Sequence, residues 1–485
     1  MSSLEEIRQN RLEKLKDFKD KKIDPYPAVS GRTFLIQEVA DKFASLEKGK
    51  KKVVISGRIM AKREHGKSTF IDIEDGGAKI QVYFKKDILG DDYDLFGSNA
   101  DIGDFIEVEG ICFKTKKNEN TIEVLRWSML SKSVRPLPEK WHGLQDVEER
   151  FRKRYLDLVM NKDIRSRFLK RNEIIKELRA FLGSNDFFEV ETPMLQHIPG
   201  GALAKPFITH HNALDIDLYL RIAPELYLKR LLVGGFERIY EIGKCFRNEG
   251  IDASHNPEFT MMECYAAYWD ENDMMDFVEK MFLAFAKKFG LKNEVEYEGK
   301  KILFKKGFLR IKFKDVLKQY ALIGDYEAET RDSLAARARQ LGIDTAPRES
   351  KGKIADEIYK KVCRVHLVQP TFIVDHPLDI SPLAKKKNSN EARRFQLIVA
   401  GLEVANGFSE LNDPIDQRGR FEEQEKERVG GEEEAHRTDE DYLEAMEYGM
   451  PPAAGLGVGI DRLVMFLTDV KNVREVFLFP TMRPK

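Results

Sequence analysis

Residues 238–268 read RIYEIGKCFRNEGIDASHNPEFTMMECYAAY, a pattern of two β-strands joined by a loop of eight residues. Strands this close along the chain pair antiparallel, because a parallel pair needs a crossover of about a dozen residues or more. Side chains alternate between the two faces of a strand. Arg247 and Glu249 therefore share one face of the first strand, and Phe259 and Glu263 share one face of the second. The segment predicts an antiparallel hairpin with charged and aromatic side chains on one face.

The remainder of residues 151–485 extends this hairpin into a domain of helices and strands. Four segments have helical spacing: 151–184, 271–289, 328–341 and 352–366. Six runs are rich in β-forming residues: 216–222, 236–249, 258–267, 371–375, 393–410 and 474–479. The acidic stretch 422–442 has the pattern of a helix, a turn and a second helix. We expect an α+β fold whose large domain is an antiparallel sheet flanked by helices, and not a doubly wound parallel sheet.

The N-terminal part of the chain has a different pattern. Residues 4–22 place apolar side chains at helical spacing and are followed by a proline-containing stretch. Five short β-rich runs then follow one another without a long helix, which predicts a small closed barrel of the OB type. The sequence RPLP after the barrel indicates a linker. The predicted domains are a helical extension (1–45), the barrel (46–134), the linker (135–150) and the large domain (151–485).

Charge and cysteine content restrict the class of protein. The 485 residues include 81 Lys and Arg against 82 Asp and Glu, a formal net charge of −1, which speaks against a polycation that coats nucleic acid. No apolar run approaches the roughly 18 residues of a membrane span, and the charged N-terminus lacks the apolar core of a secretory signal. The four cysteines lie far apart, which excludes a disulfide framework or structural zinc site and favours a cytoplasmic protein.

Two glycine-containing segments resemble nucleotide-binding loops but lack the required context. Residues 61–68, AKREHGKS, match a relaxed phosphate-loop pattern, yet they lie between two barrel strands and not between a strand and a helix. We expect a hairpin turn there. Residues 455–459, GLGVG, match half of a dinucleotide-binding fingerprint, but no acidic residue follows at the expected distance.

Two further segments carry residue types suited to a binding site. GLEVANGFSELNDP (401–414) alternates polar, aromatic and acidic side chains at Asn406, Phe408 and Glu410. GLGVGIDRL (455–463) is a glycine-rich approach to Arg462, where helical spacing begins, and an arginine at a helix start is suited to a polyphosphate. Each signal has a simpler alternative by itself: a cross-strand salt-bridge ladder for the hairpin, and a surface residue for Arg462.

Together these segments resemble the class II aminoacyl-tRNA synthetases. FRNE and the loop after it are similar to motif 2 of that family, GLGVGIDRL to motif 3, and FFEVETPML, with Pro193, to motif 1. A barrel ahead of the catalytic domain resembles subclass IIb, and GGALAKPF, APELYLKR and NGFSELNDP resemble its lysyl members. The resemblance covers nearly the whole chain. It implies an enzyme that activates L-lysine with ATP, releases pyrophosphate, and transfers lysine to the 3′ end of tRNA(Lys).

The resemblance also implies roles for the nucleotide-binding residues. The attacking carboxylate is already a nucleophile, so the first step needs positioning and neutralisation of charge, without a catalytic Ser or Cys. Arg247 is expected to hold the α-phosphate, and Arg462 to cap the adenine ring and reach the γ-phosphate; these are the two catalytic arginines. Glu249 is expected to accept from the adenine amino group, and Phe259 to stack under the ring. Two residues of the motif 2 loop are similar to phosphate contacts: His255 and Asn256.

The lysine pocket can also be argued from charge. An ε-ammonium group offers three donors and one positive charge, so it favours several carboxylates. Glu225, Glu263 and Glu410 are the candidates, with Tyr265 and Phe408 beside the aliphatic stem. Relatives that bind aspartate need basic residues here, so this acidic set argues against them.

Four further residues are assigned only by the resemblance. Asn406 is expected to contact the α-carboxylate of lysine, and Gly201 to lie against its amino end. Glu403 matches one ligand of the Mg²⁺ that accompanies ATP. The second ligand position falls on Gln396, where the family usually has Glu, so we expect a higher magnesium requirement.

The barrel is expected to bind the anticodon. Residues 48–67 carry eight Lys or Arg and one acid, a cluster suited to phosphate contacts. By resemblance, Phe70 is a stacking ring, and Arg63, Gln81 and Glu119 contact bases. Three neighbours of Phe70 have the opposite parity, which predicts that they fill the barrel interior while Phe70 faces outward: Thr69, Ile71 and Ile73.

Motif 1 lies at a two-fold interface in this family, so the resemblance implies a homodimer.

Two other functions remain open from the sequence. A paralogue would activate lysine and transfer it to a protein or lipid, a reaction that needs no anticodon-binding barrel. A non-catalytic single-strand-binding protein built around the barrel would leave Arg247, Glu249, Glu403 and Arg462 without a role.

Overall fold

A computed structural model describes residues 3–138, 144–290, 294–429 and 437–484 of the chain. Its contacts divide the chain into two units, Met1–Lys162 and Asp163–Lys485, each with its own hydrophobic core. None of the described helices combines the length and the apolar composition of a membrane span.

The first unit contains the predicted closed barrel, with the strand order β1-β2-β3-β5-β4 and β4 closing on β1. In chain order its elements are α1 (Leu4–Asp20), α2 (Ile36–Asp41), α3 (Phe43–Lys48), β1 (Lys52–His65), β2 (Ser68–Asp75), β3 (Ala78–Lys85), α4 (Lys86–Leu89), α5 (Asp91–Asn99), β4 (Phe105–Lys114), β5 (Asn120–Ser131), α6 (Val147–Arg152) and α7 (Arg154–Met160). The prediction of an OB-type barrel is confirmed.

The alternation of side chains in β2 follows the sequence prediction. Ile71 and Ile73 are fully buried in the barrel core, whereas Phe70 is half-buried on the other face. The turn between β1 and β2 pairs His65 with Ser68, so residues 61–68 form the expected hairpin and not a phosphate loop.

The second unit is built on an eight-stranded sheet. In chain order its elements are α8 (Lys162–Ser184), β6 (Phe188–Glu189), β7 (Leu195–Gln196), β8 (Ile208–His211), β9 (Ile216–Leu220), α9 (Glu225–Val233), β10 (Arg238–Phe246), β11 (Glu258–Ala267), α10 (Glu271–Lys288), β12 (Glu294–Tyr297), β13 (Lys300–Leu303), β14 (Leu309–Lys312), α11 (Phe313–Tyr320), α12 (Arg331–Gln340), α13 (Lys351–Ile358), β15 (Thr371–Val374), β16 (Arg394–Val399), β17 (Leu402–Ser409), α14 (Pro414–Val429), α15 (Glu440–Glu447), β18 (Ala453–Gly459) and α16 (Ile460–Leu467).

The strand order of the large sheet is β14-β15-β16-β17-β18-β11-β10-β6. Its six inner strands pair antiparallel, as predicted, and the two outer pairs, β14 with β15 and β10 with β6, are parallel. Helix α10, whose N-terminus is capped by Asp270, packs Met281, Phe282 and Phe285 into the same core as Leu397 and Leu456 of the sheet. Each such burial contributes roughly 1.5–3 kcal/mol of transfer free energy.

Some predicted elements differ from the structure. The strand predicted at 474–479 is wrong: residues Val473–Val476 form a 3₁₀ helix, in which the side chain of Asn472 accepts a hydrogen bond from the backbone N–H of Arg474. The helical segment predicted at 151–184 is interrupted at Lys153 and Asn161. The acidic helices of 422–442 belong to α14 and α15, and their predicted turn falls on 430–436, outside the described residues.

Candidate functional site

Three neighbouring strands of the large sheet form the floor of the candidate site. Strand β18 runs between β17 and β11, and its Gly455 pairs with Phe408 on one side and with Tyr265 on the other. Two residues further along, Gly457 pairs with Glu263 on β11. Residues two apart share a face of a strand, so the glycines of β18 form a groove between two rows of larger side chains. The glycine-rich segment before Arg462, for which the sequence analysis predicted no strand, is therefore a central strand of the sheet.

Two glycines let the backbone approach the carboxylates of this region. A Cβ atom on Gly455 would lie 2.1 Å from Oε1 of Glu410. A Cβ atom on Gly201 would lie 2.8 Å from the Cβ of Glu225, and Gly201 also has a positive φ of 88°. Both distances are shorter than a carbon–oxygen or carbon–carbon contact allows, so a side chain at either position would displace a glutamate.

A cavity of about 940 Å³ lies against this floor. Its lining includes every residue predicted for ATP, lysine and metal binding except Glu410: Gly201, Glu225, Arg247, Glu249, His255, Asn256, Phe259, Glu263, Tyr265, Gln396, Glu403, Asn406, Phe408 and Arg462. Glu410 is almost completely buried, with Oε1 next to Gly455, which does line the cavity. The fold thus brings together residues that are up to 261 positions apart in the chain.

The carboxylates predicted for the lysine pocket form one group. Tyr265 donates a hydrogen bond of 2.9 Å to Oε2 of Glu263. A buried cation in this group was missed by the sequence prediction: Lys229 donates a 2.6 Å hydrogen bond to Oε1 of Glu225 and forms an ion pair with Glu410. Lys229 follows Glu225 by four residues on α9, and that spacing within APELYLKR is the signal that could have found it.

Burial disfavours the charged forms of these carboxyl groups. It raises the pKa of Glu263 to about 8, and the neighbouring charge of Glu225 adds to the shift. Burial also raises the pKa of Glu225 and Glu410, against the attraction of Lys229. For Lys229, burial opposes the positive charge, but the two carboxylates outweigh it and raise its pKa. The pocket therefore gains from any additional cation that enters it.

A second group of cavity residues is cationic and aromatic. The guanidinium carbon of Arg247 lies 5.0 Å from the centre of the Phe259 ring. Arg462, in the first turn of α16, donates to the backbone carbonyl of Glu403 over 3.3 Å, and its Nη2 lies 3.4 Å from Nε2 of His255. Planar guanidinium groups bind phosphate oxygens and stack on flat rings. These residues are suited to a polyphosphate that carries a planar base.

The loop that joins β10 to β11 is longer than predicted. Strand β10 ends at Phe246, so Arg247 and Glu249 lie on the loop and not on the strand. Glu249 and His255 are exposed, whereas Asn256 is buried and donates a 2.6 Å hydrogen bond to the backbone carbonyl of Glu258. Oδ1 of Asn256 has no hydrogen-bond partner in the described part of the chain. The loop thus presents its polar side chains at the cavity.

The two predicted metal ligands are neighbours. Nε2 of Gln396 donates to Oε2 of Glu403 over 3.2 Å, and the buried Oε1 of Gln396 has no hydrogen-bond partner among described residues. Burial alone would raise the pKa of Glu403, but Arg364 and Arg462 hold it below its ordinary value. No described group of three or more His, Cys, Asp or Glu side chains could hold a metal by itself. One carboxylate and an unpartnered amide oxygen fit Mg²⁺, which proteins bind through few carboxylates together with substrate phosphates.

One further cation of the cavity was missed by the sequence prediction. Nε of Arg394 donates a 2.9 Å hydrogen bond to Oδ1 of Asn406. Arg394 precedes Gln396 by two residues on β16, so it shares that residue's face, and this parity is the signal that could have found it. The pair of Arg394 and Asn406 is suited to a carboxylate ligand.

In the first unit, the four predicted anticodon residues belong to the barrel surface. Arg63 is exposed near the end of β1, next to β2, where Phe70 stacks on Tyr83 of β3 with ring centres 4.3 Å apart. Nε2 of Gln81, also on β3, donates to Oε2 of Glu119 over 3.1 Å. Tyr83 was missed by the sequence prediction, although it alternates with Gln81. Half-buried aromatic rings beside polar groups on a barrel surface are suited to stacking with the bases of single-stranded nucleic acid.

Comparisons with known proteins agree with both units. Residues 53–130 match the family model of the OB-fold nucleic acid binding domain, and residues 146–483 match that of the class II tRNA synthetases (D, K and N). The second match covers well over half of the chain.

Curated relatives are similar over their full length. The chain is 50% identical to the lysine–tRNA ligase of Pelotomaculum thermopropionicum, over 99% of this chain and 96% of the relative. It is 47% identical to the lysine–tRNA ligase of Syntrophomonas wolfei, over 100% and 98%, and 48% identical to that of Staphylococcus aureus, over 98% of each chain. The groove of β18, the cavity and these matches show that the chain belongs to the class II tRNA synthetases of the D, K and N group.

Proposed function

We propose that this protein is a lysine–tRNA ligase, which activates L-lysine with ATP and transfers it to tRNA(Lys). The observation that carries the proposal is the buried group of Glu225, Glu263 and Glu410 beside the cavity that Arg247 and Phe259 line. An acidic pocket selects a cationic amino acid, and an arginine over an aromatic ring is suited to ATP. The names of the full-length relatives support the same substrate.

In the first step, the α-carboxylate of lysine attacks the α-phosphorus of ATP, and pyrophosphate leaves with the electron pair of the broken P–O bond. Arg247 holds the α-phosphate and neutralises the charge that builds there, and Arg462 holds the γ-phosphate. Phe259 stacks under adenine, and Glu249 accepts from its amino group. His255 and Asn256, on the loop, contact the phosphates.

Lysine is oriented by groups of both signs. Glu225 accepts from its α-ammonium group near Gly201, Glu410 meets the ε-ammonium group, and Glu263 accepts from one of these two groups. Tyr265 and Phe408 flank the aliphatic stem. The α-carboxylate is bound by Asn406 and by the guanidinium of Arg394, which donates to Oδ1 of Asn406.

Glu403 and Gln396 would hold Mg²⁺ with the phosphates of ATP. When bound, the ion supplies positive charge that offsets the phosphate charge. Gln396 contributes an oxygen without a negative charge, so the protein attracts the ion less strongly than it would with two carboxylates.

In the second step, a hydroxyl group of the terminal ribose of tRNA attacks the carbonyl carbon of lysyl-adenylate, and AMP leaves. The barrel binds the anticodon of the same tRNA, with Phe70 stacking on a base and Arg63, Gln81 and Glu119 contacting base edges.

The proposed domain limits are 1–45, 46–134, 135–150 and 151–485. The family matches at 53–130 and 146–483 support them.

We also infer a homodimer in the cytoplasm. Motif 1 lies in a part of the second unit that exposes large apolar side chains, among them Phe188, which stacks on Phe236. Exposed apolar surface of this kind is typical of a protein–protein interface. All four cysteines are free and buried, which is consistent with a reducing compartment.

Lysine-dependent exchange of pyrophosphate into ATP tests the first step, with arginine and aspartate as control substrates. We expect exchange with lysine alone, followed by charging of tRNA(Lys). Absence of exchange would favour a nucleic-acid-binding protein, whereas exchange without charging would favour a paralogue that modifies a protein or lipid.

A further inference from the structure

Lys229 is a buried cation among the carboxylates of the acidic pocket. None of the proposed reaction steps assigns it a role. It lies on α9, one helical turn after Glu225, and its side chain is completely buried. Its Nζ donates to Oε1 of Glu225 over 2.6 Å and forms an ion pair with Oε2 of Glu410. It also lies 5.3 Å from the centre of the Phe408 ring. The one ammonium group thus joins two of the three pocket carboxylates.

The two ion pairs use only one oxygen of each carboxylate. Oε1 of Glu410 lies next to Gly455, and it has no hydrogen-bond partner in the part of the chain that the structure describes. Oε2 of Glu225 lies next to Gly201, 3.6 Å from the place of a Cβ atom. Both glycines line the cavity. Lys229 therefore holds each carboxylate from one side, and the remaining oxygens lie beside the glycines of the cavity wall.

The charges of the pocket agree with this arrangement. When all three are ionised, Glu225, Glu263 and Glu410 carry three negative charges, and Lys229, which pairs with two of them, offsets one. The four side chains together then keep two negative charges. Lysine brings two ammonium groups, whose two positive charges balance them. Without Lys229, Glu225 and Glu410 would repel each other in a buried place, and each would gain from taking up a proton. A protonated carboxyl attracts an ammonium group far less than a carboxylate does.

We propose that Lys229 is a positioning residue of the amino-acid pocket, an internal counter-cation that orients Glu225 and Glu410 so that one oxygen of each receives an ammonium group of the substrate. The inference rests on the proposed function, because it takes lysine as the amino acid. It predicts that the charge of Lys229 controls affinity for lysine and leaves ATP binding unaffected.

The test compares Lys229→Met and Lys229→Gln, which remove the charge, with Lys229→Arg, which keeps it. We expect both neutral variants to raise KM for lysine in pyrophosphate exchange by about tenfold or more, with KM for ATP within about twofold of wild type. Lys229→Arg should recover most of the loss. Calorimetric titration of lysine without ATP gives the same comparison for Kd, independently of catalysis.

Lys132 provides a matched control. It is also completely buried and bridges two carboxylates, Asp101 at 2.5 Å and Asp104 at 2.8 Å, but it lies in the barrel unit. Lys132→Met should lower the thermal unfolding temperature without changing KM for lysine. This control separates the general cost of losing a buried ion pair from the specific effect on lysine binding.

Three results would overturn the inference. The first is a KM for lysine that stays within about threefold of wild type in both neutral variants. The second is a parallel rise in KM for lysine and ATP with a lower unfolding temperature, which indicates a structural role only. The third is the same KM for lysine in Lys229→Gln and Lys229→Arg, which would mean that the charge at this position is irrelevant. If Lys229→Met fails to fold, Lys229→Gln decides the question. Wild-type protein without lysine-dependent exchange would instead overturn the proposed function.

Discussion

The hydroxyl group of Tyr265 donates a 2.9 Å hydrogen bond to Oε2 of Glu263, in a pocket where burial raises the pKa of Glu263 to about 8. Below that pH the empty pocket holds Glu263 in its protonated form, and an ammonium group binds there only after the proton leaves. We expect KM for lysine in pyrophosphate exchange to fall about fivefold as pH rises from about 7 to about 8, while KM for ATP changes little.

The variant Glu263→Gln removes the titrating group from the same position. We expect it to raise KM for lysine and to remove most of the dependence on pH. A wild-type KM for lysine that is constant over this range would contradict the assignment of Glu263 as the titrating group.

Arg247 should be more important for ATP than for lysine. Arg247→Ala removes charged hydrogen bonds to phosphate, each of which contributes about 1.5–3 kcal/mol, so we expect kcat/KM for ATP to fall by roughly tenfold to a hundredfold. Arg310 is a matched control, because it lies over Phe372 as Arg247 lies over Phe259 but does not line the cavity. Arg310→Ala should leave the exchange kinetics unchanged. Similar losses in both variants would argue against a phosphate contact.

Gly455 should tolerate no side chain. A Cβ atom there would lie 2.1 Å from Oε1 of Glu410 and 2.6 Å from the Tyr265 ring, so Gly455→Ala should destabilise the fold by about 1–3 kcal/mol. Gly457 lies two residues along the same strand, where the nearest atoms would be 3.8 Å away or more. Denaturant unfolding of both variants measures this loss of stability, which should be largely absent for Gly457→Ala. Equal stability would contradict the packing of Glu410 against Gly455.

Phe70 should act in tRNA charging and not in amino-acid activation. Base–aromatic stacking contributes about 1–3 kcal/mol per base, so Phe70→Ala should raise KM for tRNA(Lys) roughly fivefold to a hundredfold and leave pyrophosphate exchange unchanged. Phe105 is a control on the barrel, since its ring is covered by Arg58 at 4.2 Å. Phe105→Ala should not change KM for tRNA. Equal loss of exchange and charging in Phe70→Ala would count against the anticodon role.

Gln396 should increase the magnesium concentration that the enzyme requires. It supplies an amide oxygen where a carboxylate would add negative charge, so the protein attracts the ion less strongly. Gln396→Glu should therefore shift the magnesium dependence of pyrophosphate exchange to lower concentrations. Identical titration curves for the variant and the wild type would refute this prediction.

The barrel and the antiparallel hairpin were accessible from the sequence, because their signals are local. Short β-rich runs predicted the five barrel strands, and alternation with a period of two predicted the outward face of Phe70. The close spacing of β10 and β11 predicted their antiparallel pairing. The strand predicted at 474–479 failed because Asn472 caps a 3₁₀ turn at this point, and the buried Val473 and Val476 lie one such turn apart.

The sequence by itself determined the closed barrel, the antiparallel core of the sheet and the residue types of the cavity, since these depend on local pattern and on resemblance. Only the tertiary structure placed Lys229 between Glu225 and Glu410, and Arg394 beside Asn406. Glu410 lies 181 positions after Lys229 in the chain, and no local rule relates such residues. Their distance is set by how β17, β18 and α9 pack, so the charge balance of the pocket emerges only when the chain has folded.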